Sequence, residues 1–285
     1  TPRAGREAEG VGAPRPVARA RSVLVVGGGP AGLQAAIAAA RNGHRVTLCE
    51  RHELTGGAVR LAASVPNRAE FGDLVRNQFH EATRLGVEIE TGVTLDAAEV
   101  LRRRPHSVVV ATGARPARPY WAPGDEHRIV DVIEVLDGAA APSGRVVVLD
   151  ELGFHQATSV AELLADRGCD VEVITPGMVV GQDLGITLDL ETWWMRAESK
   201  GIVQTTELVP MGWDQGTLTL QHHPTGTMHE RTPDWVVLAV PATPAEELYL
   251  ELLDAGVAVH RAGDVVAPRR AHAAVVDGER VGAAL

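Results

Sequence analysis

From Ser22 onward, short apolar runs rich in β-branched residues alternate with longer stretches rich in Ala and Leu. This alternation is typical of βαβ units on a parallel sheet, whose strands are buried on both faces and therefore read as nearly continuous apolar runs. The runs predicted as strands are Val23–Val26, Arg45–Cys49, Val87–Glu90, Ser107–Ala111, Arg145–Leu149, Val171–Ile174 and Trp235–Val240. The stretches predicted as helices are Pro30–Asn42, Arg68–Leu85, Ala97–Arg103, His155–Arg167, Asp189–Lys200 and Ala245–Asp254. The pattern predicts an α/β protein.

Other segments depart from this alternation. Residues 1–20 contain Pro and Arg with little apolar periodicity, which predicts a linker. Segments 202–211 and 216–230 predict a small antiparallel meander with a turn near residues 214–216. The stretch Arg270–Gly282 has a helix-like pattern.

One strand–helix–strand unit occurs twice along the chain. The first copy runs from Val23 to Cys49 and the second from Val146 to Ile174, and each has a glycine between its helix and its second strand. Duplication of one βαβ nucleotide-binding unit explains both copies. A Pro-rich stretch, residues 115–123, separates them. We therefore expect two Rossmann-like domains.

The charge balance excludes one large class of partner. The chain has 27 Lys+Arg and 37 Asp+Glu, a formal net charge of −10, whereas nucleic acids and anionic membranes are bound through Lys and Arg. Two cysteines, Cys49 and Cys169, cannot supply a disulfide framework, a zinc site or an iron–sulfur cluster. No apolar run approaches the roughly 20 residues of a membrane helix. We expect a cytoplasmic protein without a metal site and with neither a nucleic-acid nor a membrane partner.

The strongest motif directly follows the first predicted strand. Gly27, Gly29 and Gly32 fit the GxGxxG spacing, with Pro30 and Ala31 at the start of the predicted helix. The first glycine permits a tight turn, the second lets backbone amides approach a pyrophosphate, and the third lets the helix pack on the strand. The N-terminus of the helix then attracts the anion. The alternative interpretation is a Gly-rich turn without a ligand.

Four further signals extend the motif. Glu50 ends the second predicted strand, 18 residues beyond Gly32, where a carboxylate accepts hydrogen bonds from ribose hydroxyls, and Arg51 adjoins it. Gly56-Gly57 would let the backbone lie beside a flavin or its phosphates, Ala111-Thr112-Gly113 ends a buried strand, and Gly263-Asp264 offers a carboxylate before the last helix-like stretch. The candidate cofactor-binding residues are Gly27, Gly29, Pro30, Ala31, Gly32, Glu50, Arg51, Gly57, Ala111, Thr112, Gly113, Gly263 and Asp264.

The order of these motifs resembles that of the disulfide-reductase-like flavoproteins. More narrowly, Thr1–Glu7, Gly263–Arg269 and Asp277–Arg280 are similar to the C-terminal half of the large old yellow enzyme-type NADH:flavin oxidoreductases. Members of that family include 2,4-dienoyl-CoA reductase, trimethylamine dehydrogenase and histamine dehydrogenase. The resemblance covers essentially the whole chain. It implies an FAD- or ADP-binding domain at residues 21–125 and 244–285, into which an NAD(P)-binding-like domain, residues 126–243, is inserted.

The resemblance also implies groups that this chain cannot contain. The intact family polypeptide has an N-terminal barrel with FMN and a cysteine-bound 4Fe-4S cluster. An FMN-binding barrel domain or subunit is therefore the expected partner, together with an adenine nucleotide or flavin. Because the family places substrate chemistry in that barrel, no catalytic residue is assigned in this chain.

The second copy of the repeat lacks the glycines of the first. Its loop reads Asp150-Glu151-Leu152-Gly153-Phe154, and alignment of the helices places Asp150 opposite Gly27 and Phe154 near Gly29, with two residues inserted. Phe154 would obstruct a pyrophosphate, and the two acids would repel it. The following strand ends without the acid expected for NAD or the Arg expected for a 2′-phosphate. We therefore expect the second domain to bind NAD(P)H poorly or not at all.

Two functions of different classes stay open on the sequence. The first is the nucleotide-binding part, FAD by preference, of a flavin-dependent NADH:flavin oxidoreductase. The second is a structural module that binds ADP and transfers no electrons, as the resemblance to the amine dehydrogenases implies. A partner-docking domain is a third possibility, without a positive signal in the sequence.

Overall fold

The structure, a computed structural model, describes residues 8, 13, 16–124 and 126–285. The Thr1–Glu7 motif and most of the predicted linker, residues 1–20, lie outside the described residues. The internal contacts divide the chain into two compact units. The first comprises the chain up to Ala63, Ala69–Arg115 and Ala242–Leu285, and the second comprises Ser64–Arg68 and Pro116–Pro241.

The first unit is a five-stranded parallel sheet covered by helices on both faces. Its strands, in sheet order, are β15 (Val259–Arg261), β4 (Ser107–Val110), β1 (Ser22–Val26), β2 (Arg45–Glu50) and β3 (Glu88–Thr91). Its helices are α1 (Pro30–Arg41), α2 (Gly57–Ala62), α3 (Phe71–Arg84), α4 (Ala97–Arg103), α8 (Glu247–Asp254) and α9 (Ala271–Ala284), with a 3₁₀ turn at Gly263–Val265. A two-stranded sheet pairs β5 (Ala114–Pro116) with β14 (Ala242–Pro244).

Alternate residues of β1 supply two cores. Val23 and Val25 lie in the apolar cluster formed with α1 and α3, whereas Leu24 and Val26 lie in the cluster that contains Leu252 of α8. Both sets of side chains are buried. A strand covered on both faces needs apolar residues at every position, which is why the sequence here shows an unbroken run.

Helix α9 packs directly on the backbone of α1. A side-chain carbon at Gly278 would lie 2.2 Å from the carbonyl oxygen of Ala31, and one at Gly282 would lie 2.3 Å from that of Ala35. Glycine alone permits this approach, because any larger residue would overlap the neighbouring backbone. The two glycines therefore fix the C-terminal helix against the helix that follows the glycine motif.

The second unit repeats the plan with one change. Its parallel strands, in sheet order, are β6 (Ile129–Asp131), β13 (Trp235–Ala239), β7 (Arg145–Asp150), β8 (Asp170–Ile174) and β9 (Val203–Thr205). One face carries α5 (Val132–Asp137), α6 (His155–Asp166) and α7 (Leu190–Ser199). The other face carries an antiparallel sheet of β10 (Leu208–Asp214), β11 (Thr217–His222) and β12 (Thr227–Arg231).

The α/β class and all seven predicted strands and six predicted helices are confirmed, with shifted ends. Helix α3, for example, begins at Phe71 rather than at Arg68, and the helix-like C-terminal stretch forms α9. The assignment of residues 202–211 to the meander is wrong at its start, because Val203–Thr205 pairs in parallel with β8. This strand is short and mostly exposed, so it shows little apolar pattern. The short elements α2, α5, β5, β6, β14 and β15 were not predicted.

Candidate functional site

Gly27 shapes the turn at the end of β1. Its φ is +108°, and a side-chain carbon there would lie 2.3 Å from the carbonyl oxygen of Ala111, just beyond β4. Residues with side chains rarely adopt such a φ, and the added atom would overlap the neighbouring strand, so only glycine fits. The Gly27 amide donates a hydrogen bond to the Cys49 carbonyl at 2.8 Å. The chain thus turns sharply at the carboxyl end of β1, and α1 begins three residues later.

Helix α1 presents its N-terminus to open space. The first intrahelical hydrogen bond runs from the Leu33 amide to the Gly29 carbonyl at 2.9 Å, so the amides of Ala31 and Gly32 point out of the helix start. Pro30, at the first helical position, has no amide hydrogen to satisfy. A side-chain carbon at Gly29 would meet no atom of the described residues within 4 Å. Open space beside the positive end of a helix suits an anionic group.

Gly32 brings α1 close to the turn. A side-chain carbon at this position would lie 1.9 Å from the carbonyl oxygen of Gly27 and 3.3 Å from the Cβ atom of Ala111. The obstruction is backbone, which cannot rotate away as a flexible side chain would. The third glycine of the motif therefore serves helix packing, whereas the second leaves space for a ligand.

Glu50 joins the end of β2 to the glycine turn. One carboxylate oxygen accepts the amide of Gly28 at 2.7 Å, and the other accepts the amide of His52 at 2.9 Å. The side chain is 5% exposed. A carboxylate offers about four acceptor positions, so two are left for the hydroxyls of a ribose. Arg51 is exposed and donates from Nε to the His52 ring at 3.1 Å.

Gly57 lies beside the helix start. The Gly56 amide donates to the Gly28 carbonyl at 2.8 Å, and a side-chain carbon at Gly57 would lie 3.2 Å from the Cα atom of Gly29. The segment after β2 thus returns to the turn and then begins α2. The small residues let two backbone segments flank the open space.

The segment after β4, which holds Ala111, Thr112 and Gly113, packs against the glycine turn and is hydrogen-bonded to Ala245. Ala111 packs its carbonyl group against Gly27. The Thr112 hydroxyl donates to the Ala245 carbonyl at 2.7 Å, and the Gly113 carbonyl accepts the Ala245 amide at 3.0 Å. These bonds tie the returning chain to the end of β4, so the Thr112 hydroxyl has a structural partner.

Gly263 contacts the first turn of α1. A side-chain carbon at this position would lie 2.6 Å from the Cβ atom of Ala31. The neighbouring Asp264 is partly buried, and its carboxylate accepts the Arg269 amide at 3.1 Å. Burial raises the pKa of Asp264 above its ordinary value, against the opposing effect of that amide. The last 3₁₀ turn therefore brings a carboxyl group to the segment packed on the helix start.

The structure brings eight residues of the glycine motif and its surroundings into four contacts. These are Gly27 with Ala111, Gly28 with Glu50, Gly29 with Gly57, and Ala31 with Gly263. Four other predicted residues have hydrogen-bond partners elsewhere: Arg51 with His52, Thr112 and Gly113 with Ala245, and Asp264 with Arg269.

A buried polar network behind α1 was missed by the sequence analysis. Gln78 of α3 donates to the Pro30 carbonyl at 3.0 Å and to Gln34 at 3.1 Å. Gln34 donates to Glu279 of α9 at 2.6 Å, and Glu279 pairs with Arg41 at 3.0 Å. The signal in the sequence is Gln34, the one polar side chain between Pro30 and Ala40 of α1, which becomes informative once α3 and α9 are placed beside it.

The structure of the glycine-poor loop in the second copy of the repeat, residues 150–154, agrees with the alignment made from the sequence. Val23 of β1 pairs with Val46 of β2, and Val146 of β7 pairs with Val171 of β8. Val146 therefore corresponds to Val23, and Asp150, four residues later, corresponds to Gly27. Helix α6 begins five residues after Asp150 with Phe154 at its N-cap, whereas α1 begins three residues after Gly27. The two-residue insertion is thus confirmed. Asp150 does not face the solvent as a repelling charge, because it is fully buried and bonded within its own chain. These residues do not fit a pyrophosphate.

The described part of the chain shows neither a metal cluster nor a membrane-spanning helix. Within residues 16–124 and 126–285, the structure places no three His, Cys, Asp or Glu residues together as a metal site. Among the same residues, no helix is both long and apolar enough to cross a membrane.

Comparison with known proteins adds a family and several relatives. Residues 21–266 match the family described as pyridine nucleotide-disulphide oxidoreductase. The N,N-dimethylglycine/sarcosine dehydrogenase of Chromohalobacter salexigens is 32% identical over 301 residues, which cover 92% of this chain and 43% of that protein. A protein of Rhizobium meliloti named as a probable N-methylproline demethylase is 31% identical over 313 residues, covering 94% of this chain and 44% of the relative.

A solved structure shows the same fold over nearly the whole chain. The 6-hydroxypseudooxynicotine amine oxidase of Pseudomonas geniculata N1 superposes with a TM-score of 0.88 at 27% identity, covering 94% of this chain and 42% of that one. The chain thus spans less than half the length of each of these three proteins.

Proposed function

The chain belongs to the pyridine nucleotide-disulphide oxidoreductase family, and on this basis we propose that its first unit binds an adenine dinucleotide, FAD by preference. The whole protein would then be a flavin-dependent NADH:flavin oxidoreductase of the old yellow enzyme type. In that enzyme the chain supplies the nucleotide-binding part, with an FMN-binding barrel as its partner. Bound FAD supplies a carrier for two electrons.

The observation that carries the proposal is the open N-terminus of α1. The outward-pointing amides of Ala31 and Gly32 would bind the pyrophosphate, and the bare Gly29 would let it approach. Glu50 would accept the ribose hydroxyls while holding Gly28 in place. Gly57, Thr112 and Asp264 would line the ribityl and flavin end, with Gly263 beside Asp264. These groups lie at the N-terminus of α1 or next to a residue that contacts it.

The names of the relatives support an amine substrate for the whole protein. Two are named for N-methyl amino acids and one for an amine oxidase reaction. Their additional length, which this chain does not span, would hold the catalytic groups. The substrate class is therefore proposed for the complete enzyme and not for the nucleotide-binding part.

The test is the identity of the nucleotide that the chain binds. The full chain is purified, incubated with FAD or ADP, separated from free nucleotide and denatured, and the released nucleotide is examined by visible spectrum and mass. One FAD per chain supports the proposal. A colourless protein that retains ADP and rejects FAD would establish the structural ADP-binding module instead, and retention of neither would contradict both.

Glu50→Gln should weaken adenine nucleotide binding by roughly 1–3 kcal/mol, the cost of losing charged hydrogen bonds in a buried position. The substituted amide also places an NH₂ group against one of the two backbone amides that Glu50 now accepts. Calorimetric titration with ADP measures the change. Glu53→Gln, which alters an exposed carboxylate three residues further on, is the matched control. Equal affinities for the two variants would remove Glu50 from the site.

Asp264→Ala should lower FAD retention and leave ADP affinity unchanged, because Asp264 adjoins the glycine that contacts α1 and would face the flavin end rather than the adenine end. The readouts are flavin absorbance after gel filtration and ADP titration on the same preparation. Asp264→Asn, which can still accept the Arg269 amide, separates loss of charge from loss of that contact. Wild-type flavin retention in Asp264→Ala would contradict the assignment.

A further inference from the structure

The end of β7 contains a carboxylate with no exposure to solvent. Asp150 is 0% exposed, and its Oδ1 and Oδ2 atoms accept the amides of Gly153 at 2.7 Å and Gly181 at 2.9 Å. Burial raises the pKa of this carboxyl group and the nearby Asp183 carboxylate adds to the rise, whereas the backbone amides of Gly181, Gly153 and Leu152 oppose it. A buried carboxylate is costly unless it is hydrogen-bonded. Asp150 is therefore placed where backbone donors of two loops converge on an anion.

The second of these loops is fixed over the first. The Asp183 amide donates to the Gly153 carbonyl at 2.8 Å. Two hydrogen bonds therefore join the two loops, this one and the bond from Gly181 to Asp150, and the bond from Gly153 to Asp150 closes the first loop on itself. Gly181 has a φ of +67°, and a side-chain carbon there would lie 2.9 Å from Thr158 of α6. On either side of it, Val180 and Leu184 are buried in the apolar cluster under α6. The 3₁₀ turn Gln182–Thr187 is thus anchored across the start of α6.

The start of α6 consequently differs from that of α1. A side-chain carbon at Gly153 would lie 3.7 Å from the amide nitrogen of Gln182 and 3.8 Å from that of Asp183, whereas one at Gly29 would meet nothing described within 4 Å. Phe154, at the N-cap where the first unit has Gly29, packs against the apolar cluster. The start of α6 therefore faces the 181–183 loop of the protein's own chain rather than open space.

We propose that Asp150 is a built-in anion that takes the place of a dinucleotide phosphate and holds the 181–183 loop closed, so that the second unit binds no pyridine dinucleotide. This inference concerns the second unit and is independent of the nucleotide proposed for the first. It differs from simple charge repulsion in a measurable way. If charge repulsion excluded the dinucleotide, Asp150 and the exposed Glu151 would contribute equally. If Asp150 is a built-in anion, it alone holds the 181–183 loop.

Amide hydrogen exchange on the full chain tests this difference. Asp150→Asn keeps one acceptor but turns an NH₂ group towards the other amide, so exchange at Gly153 or Gly181 should rise by about tenfold or more, which corresponds to one lost charged hydrogen bond. Glu151→Gln removes the same charge from the next residue and should leave both amides as in the wild type. Equal exchange in the two variants would overturn the proposal.

The wild-type chain provides a second test that needs no variant. Added NADH or NADPH, with and without ADP, should give no exchange protection in residues 150–157 or 181–184. Protection of both segments by NADH would overturn the proposal, because the loop would then have opened to admit a dinucleotide.

Small-anion rescue is the third test. Asp150→Gly removes a group equivalent to acetate, so sodium acetate should raise the melting temperature of the variant above its value in sodium chloride of equal ionic strength. The wild type should respond equally to both salts. The same response of variant and wild type to acetate would show that the loop amides need no anion, and would contradict the proposal.

Discussion

Gly29→Val should keep the fold and lose the adenine nucleotide, with affinity for ADP or FAD reduced by at least about 100-fold. The backbone of Gly29 has φ −75° and ψ −178°, which valine adopts without strain. The new side chain would enter space that is empty of described atoms. That space is where the pyrophosphate would meet the amides of Ala31 and Gly32, so the loss corresponds to two or more charged hydrogen bonds.

Nucleotide content after purification and calorimetric titration with ADP measure the effect, and thermal unfolding of the ligand-free protein checks the fold. Gly212→Val is the matched control, because a side-chain carbon at Gly212 would also meet no described atom within 4 Å, and Gly212 lies on β10, far along the chain from the motif. If Gly29→Val retained wild-type nucleotide affinity, the pyrophosphate would have to bind elsewhere.

Gly32→Ala should act on folding rather than on binding. We expect the ligand-free chain to lose about 3 kcal/mol or more of stability. The added methyl group would lie 1.9 Å from the Gly27 carbonyl oxygen. Neither α1 nor β1 can move away, since α1 is also packed on α9 through Gly278 and Gly282. Urea unfolding of the ligand-free chain, followed by circular dichroism, measures the change.

Gly72→Ala is the control for helix propensity. Gly72 lies in the first turn of α3, and a side-chain carbon there would lie 3.6 Å from the nearest described atom, which is ordinary van der Waals contact. The substitution should be neutral or stabilise the chain by up to about 1 kcal/mol. A destabilisation of Gly32→Ala no larger than that of Gly72→Ala would contradict the close helix–turn packing.

The two variants separate the roles of two glycines, Gly29 and Gly32, that belong to the same sequence motif. Spacing alone predicted that Gly29 faces a phosphate and Gly32 packs the helix. The surroundings of the two residues, empty in one case and backbone in the other, turn that prediction into separate tests of binding and folding. Loss of nucleotide in a stable protein and loss of stability in an apo protein are distinguishable results.

Sequence reasoning worked best for elements buried on both faces. The continuous apolar run of β1 is typical of a strand covered on two sides, and the structure covers it with two clusters. It worked least well for β9, whose three residues pair at an exposed sheet edge. An edge strand buries little, so its apolar pattern is weak and its partner is set by the neighbouring strand.

The chain alone determined the α/β class, the duplicated unit and the glycine motif, because each is encoded by residues close together in sequence. The tertiary structure decided what Asp150, Gln78 and Thr112 contact. The partners of these side chains lie 31, 48 and 133 positions away respectively, and no local pattern specifies such a distance. Asp150 reads as a repelling charge in the sequence and becomes a bonded anion in the fold, because hydrogen-bond donors from a remote loop converge on a buried carboxylate.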